Sequence, residues 1–220
     1  MINSWAERII FSIVFFLVVI GVILSRVNVA FFEGFYVLED GFIEWLTIVA
    51  LLCGAFLCFY RAFKLKSKRN VMFLFVTVLV GLVLLFGAGE EISWGQRIFD
   101  IESSEFFTKY NAQREINIHN LIVKGTKINK LVFGTLLGAC IAAYFLILPI
   151  VYRKSSRING LVDRIAIPIP RVFHILSYII LVILVEMVDS SKKGELLEFG
   201  GCWIFLLMIF NPYNREIFKE

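Results

Sequence analysis

Residues 87–97, GAGEEISWGQR, set two adjacent carboxylates, an indole, an amide and a guanidinium directly after an uncharged run over 71–88. A carboxyl at the edge of an apolar run has a proton affinity suited to acid–base work, so Glu90 and Glu91 are candidate general acids or bases. Arg97 can hold an anionic headgroup through charge-assisted hydrogen bonds. If one helix continues to Arg97, then Glu90, Trp94 and Arg97 share a face, with Glu91 about 100° away. Glu90 and Arg97 would then lie roughly 10 Å apart along the axis and bracket a ligand with Gln96 beside them. A charge near mid-membrane costs about 2.5–3.5 kcal/mol, so two at a helix end imply a water-filled pocket. A plain membrane boundary with Trp94 in an aromatic belt is the alternative, but it does not need so many distinct polar groups.

A second polar stretch follows at 111–120, NAQREINIHN. Asn111, Gln113, Glu115, Asn117 and His119 alternate with other residues and would line one face if extended. If helical, Glu115 and His119 form an i, i+4 pair that can share a proton or a divalent metal. The competing reading is a solvated loop whose amides, Asn120 included, cap their own turns. Glu44, Glu186, Asp189 and Glu198 lie near other helix ends that point the same way, and Glu44 is a binding candidate. His174 follows the basic Arg171 at the opposite end of its helix. A span of about 30 Å separates it from His119, which argues against a three-histidine zinc centre and leaves His174 as a helix-end residue.

The elements that must position these groups are transmembrane helices. Of 220 residues, 59% are hydrophobic and 18% charged, against about 45–50% and 25% in soluble domains. The expected fold is all-α: a polytopic bundle of about six spanning helices at 9–24, 42–60, 71–88, 131–152, 172–188 and 196–210, in a single integral-membrane domain. The last, with Glu198, Gly200 and Gly201, is the weakest span. Backbone polar groups cannot stay unpaired in lipid, which requires helices here. The N-terminus reads as an uncleaved first helix, since no small-x-small site follows it. A long outer loop, 89–130, is expected to carry short helices, one starting near Glu105 after Ser103 or Ser104. The four cysteines fall in apolar segments without pairing motifs.

Orientation follows from basic residues. RAFKLKSKRN, after the second segment, has five basic residues and no acid; RKSSRINGLVDRIAIPIPR, after the fourth, has five and one. Both loops are expected in the cytoplasm, with both termini, in a bacterial inner membrane. The charge pattern speaks for topology and not for nucleic-acid binding.

EEISWGQRIF followed by NAQREINIHN resembles the signature of a family of uncharacterised bacterial multi-pass inner-membrane proteins, over about thirty-five residues of this chain. That resemblance implies a membrane location and carries no activity. A weaker likeness is to CAAX-type membrane endopeptidases, whose Glu-Glu-x-x-x-Arg motif would put arginine where Gly95 stands; their later histidine motifs are absent.

Three readings remain open. In an enzyme acting on a lipid or lipid-linked headgroup, Glu90, Glu91, Glu115 and His119 are the catalytic candidates. Glu44, Trp94, Gln96, Arg97, Asn111, Gln113, Asn117 and Asn120 would line the binding site, and a divalent metal is a candidate cofactor. In a non-enzymatic, transporter-like or accessory protein, the same pocket binds a cation or a partner membrane protein. In the third, the polar cluster only pins the loop to the bundle.

Overall fold

The computed structural model describes residues 4–123, 126–127 and 136–219. Its regular elements are helices apart from a hairpin in which the two-residue β1, Ile122–Val123, pairs antiparallel with β2, Thr126–Lys127. Among the described residues four helices are long and apolar enough to cross a membrane: α1, Ser4–Val27; α2, Phe42–Leu65; α3, Val71–Glu91; and α5, Leu137–Lys154. Between α3 and α5 lies the short α4, Glu105–Tyr110. Then follow α6, Ser156–Arg164; α7, Val172–Glu186; and α8, Lys193–Phe210. This is a membrane protein by its helices. The part of the fourth expected span at 131–135 lies outside the described residues.

The long helices arise where the apolar runs lie, and one of them begins at a polar cap. Asn70 starts α3 by accepting the backbone N–H of Phe73 at 2.9 Å, as an N-cap residue does. Within α5 the backbone widens into a π turn at Ala143–Ile147, which turns Tyr144 and Phe145 inward. Phe145 is buried against Tyr178 and Phe205. Such bulges accommodate one extra residue in an otherwise regular helix.

The weakest expected span is the centre of the bundle. α8 packs against α1, α2 and α7. Leu196, Phe199, Ile204, Leu207 and Met208 are all nearly inaccessible. Gly200 admits this closeness, since a β-carbon there would stand 2.5 Å from Leu181 Cδ1 on α7; small residues let helix backbones approach in membranes. A helix lined by other helices can carry Lys193, Glu195 and Glu198 without exposing all of them to lipid.

The helix ends sort into two faces. On one, Arg61 at the end of α2 donates to Ile209 O (2.7 Å) and Phe210 O (2.9 Å) at the end of α8. There Arg69 reaches Lys219 O and Asn70 reaches Arg164 O. On the other, Arg26 at the end of α1 donates to Met187 O just after α7 (2.7 and 3.0 Å). Glu44 near the start of α2 meets Arg97 beyond the end of α3 there. The first face is basic and the second acidic.

Candidate functional site at the acidic face

The helix bearing the first motif stops at Glu91 and does not continue to Arg97. Ser93, Trp94 and Gly95 take φ of 45°, 54° and 79°, three left-handed residues in succession that reverse the chain. Gly95 alone adopts that region at no steric cost. Gln96–Phe99 then makes one helical turn in a new direction. Trp94 folds back onto Gly89, where a β-carbon would lie 2.9 Å from Trp94 Cζ3. Its Nε1–H donates to Glu90 Oε1 at 2.8 Å. The expected shared helix face of Glu90, Trp94 and Arg97 is therefore corrected: the turn, not the helix, brings Trp94 to Glu90 and sends Arg97 elsewhere.

Glu90, 4% exposed, anchors the loop. Its Oε2 accepts the backbone N–H of Ile118 (2.6 Å) and of His119 (3.1 Å), and His119 Nδ1 lies 3.5 Å away. The Asn120 amide stands 3.0 Å from His119 Nε2. A carboxylate held by this many donors is a structural anion.

Arg97 is a second hub. Nη1 meets Glu115 Oε1 at 2.7 Å, Nη2 meets Glu44 Oε1 at 3.2 Å, and Nε forms an ion pair with Asp40 Oδ2 at 2.8 Å. Nη2 also donates to Glu91 O at 3.3 Å. Burial by itself would lower the guanidinium's pKa; Glu115, Asp40 and Glu44 outweigh it and raise the pKa above its ordinary value. Arg97 thus serves as the counter-charge of three acids, which an anionic headgroup would have to displace.

The second motif is neither extended nor helical. It is a knot of amides around Asn111 and Asn117, both buried. Asn111 Nδ2 donates to Asn117 O and Oδ1 (2.9 and 2.8 Å), and Asn111 Oδ1 accepts the Gln113 and Glu115 backbone N–H groups. Asn117 Nδ2 reaches Ser93 Oγ (2.9 Å) and Glu115 Oε2 (3.1 Å), while Ser93 Oγ donates to Glu115 Oε2 at 2.5 Å. Gln96 ties the knot to the turn: its Oε1 accepts Ile116 N–H at 2.6 Å and its Nε2 donates to Ser103 at 2.7 Å. Gln113 is exposed and bridges Glu39 and Asn120. Glu115 and His119 thus serve different hubs, and the expected i, i+4 pair does not form. The short helix near Glu105 does, with Ser104 at its N-cap position and Ser103 bonded instead to Arg114 O.

Glu91 stands apart from this framework. Its carboxyl faces that of Glu198 on α8, with Glu195 and Glu44 close enough to act on its charge. Among the described residues neither Glu91 nor Glu198 takes part in an ion pair. A hydrogen bond between two carboxyls requires a proton on one of them. Glu91 is half-buried and Glu198 exposed, so the pair is open to its surroundings on the Glu198 side. Among the described residues no three His, Cys, Asp or Glu side chains converge as a ready metal site.

Reading the motifs one by one missed Ser93, Asp40 and the partnership of Glu198 with Glu91. Asp40 and Gly41 before the start of α2 were the available signal for a turn there. At the basic face, His174 stands in the first turn of α7, the helix-end position expected of it. It is fully buried, accepts the Arg171 backbone N–H at Nδ1 (3.2 Å) and faces Glu7 Oε1 with Nε2 (3.2 Å). Asn211 adds a bond to Glu7 Oε2 at 2.9 Å, so three helices are clasped there. No family model, curated protein or solved structure matches the chain.

Proposed function

We propose that this chain is a multi-pass inner-membrane protein of about six spanning helices with both termini cytoplasmic, and that its acidic face is an outer-leaflet acid–base site acting on a lipid or lipid-linked headgroup. α7 and α8 complete the six in this reading. The fifteen residues of α7 rise about 22 Å, short of a roughly 30 Å core, and interfacial flanks such as Arg171 make up the difference. The basic face, with Arg61, Arg69, Arg153 and Arg164, is the cytoplasmic one. The signature at 90–120 supports grouping the chain with the bacterial membrane family it resembles.

The observation that carries the reading is the Glu91–Glu198 carboxyl contact, set in a framework where Glu90, Arg97, Glu115, Asn111 and Asn117 are each committed to protein partners. A shared proton between two accessible carboxyls can be delivered to a leaving group or regained from an attacking nucleophile. Glu90, Glu115 and His119 position this site and do not perform the chemistry. A second reading rests on charge: Glu39, Glu44, Glu91, Glu195 and Glu198 gather where Arg97 is already neutralised. There a transported cation takes the proton's place, as in a transporter-like or accessory protein.

The test is lipid analysis of a deletion strain complemented with wild-type, Glu91→Gln or Glu198→Gln protein. The enzyme reading expects an altered headgroup profile on deletion, restored by wild type and by neither variant, at unchanged membrane abundance. An unaltered profile on deletion, or full restoration by both variants, overturns it.

A further inference from the structure

An apolar groove of about 200 Å³ runs between α1, α2 and α8, walled by Ile10, Ile13 and Leu17, by Leu46, and by Phe199 and Trp203. Its polar edges are closed. Trp203 Nε1 donates to Leu46 O at 3.1 Å and the Tyr36 hydroxyl to Leu17 O at 2.7 Å. Burial pushes the Tyr36 hydroxyl up to about 12, so it stays a neutral donor at neutral pH. A groove lined by hydrocarbon and lacking free polar partners does not hold water. This one lies along two of the helices long enough to span a membrane, where its surroundings are acyl chains.

The groove leads to the acids. Glu195, Phe199 and Trp203 repeat every four residues, so they stand on one face of α8 with Glu195 one turn nearer the acidic face. Glu195 is within electrostatic reach of Glu198, Glu44 and Glu39. The cations nearby are few: Arg97 holds Asp40, Glu44 and Glu115, and Lys192, which donates to Glu33 O at 3.3 Å, offsets only part of the negative charge around Glu195. A phosphate-terminated headgroup entering here meets more acidic than basic side chains, whereas an ammonium is attracted to them.

We propose that the groove holds the hydrocarbon chain of a lipid whose headgroup ends in an ammonium, and that this lipid is the ligand of the acid–base site. The inference rests on the reading of that site as lipid-directed, and it names the substrate class.

Two photo-crosslinking lipids with the same diazirine-bearing chain test it on the purified full-length protein in nanodiscs. One carries an ethanolamine headgroup, the other a glycerol headgroup. The ethanolamine lipid should label peptides within 10–17 and 199–203 more strongly. Ile13→Trp, at a half-exposed site that tolerates bulk, should reduce that labelling about tenfold, equivalent to roughly 1.4 kcal/mol. Glu195→Gln should abolish the headgroup preference while leaving chain labelling in place. Equal labelling by both lipids, labelling indifferent to Ile13→Trp, or crosslinks joining two copies of the chain through this groove would each overturn the proposal. Labelling is read without turnover. Lost preference alongside a Glu91→Gln variant that still fails to complement therefore removes only the substrate class. Retained preference with a fully complementing Glu91→Gln removes only the acid–base reading.

Discussion

Glu90 and Glu91 are one position apart and meet different surroundings. Glu90 is enclosed by the Trp94 indole and the backbone N–H groups of Ile118 and His119; Glu91 faces another carboxyl. Glu90→Gln keeps the shape but turns an amide toward donors. Hydrogen bonds to a charged group contribute about 1.5–3 kcal/mol each, so this variant is expected to lose at least about 2 kcal/mol of stability. Glu91→Gln relieves like-charge crowding and is expected to keep or raise the melting temperature in detergent. Side-by-side melting curves check both; equal stability of the two variants contradicts the division of roles. Arg97→Met leaves Asp40, Glu44 and Glu115 without their cation. Breaking this partly exposed network costs less than the roughly 3–5 kcal/mol of a fully buried pair, and the expected readout is lowered membrane abundance. Arg97→Lys should recover only part of it, because an ammonium lacks the planar fork that meets three acids at once.

At the scale of elements, the reversal after α3 decides where everything else goes. Gly95→Ala forces an L side chain into the left-handed region at φ 79°, at about 1–2 kcal/mol. It should loosen the loop before it unfolds the bundle. Faster hydrogen exchange over 111–120, with α2 and α3 still protected, is the expected pattern; uniform exchange throughout would contradict it. The apolar runs made α1, α2 and α3 legible in the sequence to within a few residues, because lipid demands a continuous apolar stretch. The stop at Glu91 was less legible, although Ser93 and Gly95 are turn residues, since helical spacing of Glu90, Trp94 and Arg97 offered a coherent alternative. The knot at 111–120 was not legible at all. Its bonds join Ser93 to Asn117 and Glu90 to Ile118, contacts between segments more than twenty residues apart that leave no periodic trace. α8 read as the weakest span for a related reason: its charges count against it in hydropathy, yet its neighbours are helices.

The whole molecule separates charge by face. The clasp of Glu7, His174 and Asn211 and the Arg61 contacts hold the basic end, and the two hubs hold the acidic end. Cysteines introduced at Ser67 and Ser156 are expected to react with an impermeant thiol reagent only after the membrane is opened, and one at Glu102 without opening. Labelling of Ser67→Cys in intact cells with Glu102→Cys protected would invert the orientation and move the acid site to the cytoplasm. The bundle then serves as scaffold: α3 and α8 bring one carboxyl each to a place where neither is neutralised by a base. The most direct test of that arrangement is the infrared spectrum of the purified protein at neutral pH, compared with Glu91→Gln and Glu198→Gln. A protonated-carboxyl C=O band present in the wild type should disappear in the Glu91→Gln spectrum and in the Glu198→Gln spectrum alike, because a proton shared by two carboxyls is lost when either is replaced. A band unchanged in both variants would contradict the shared proton on which the account rests.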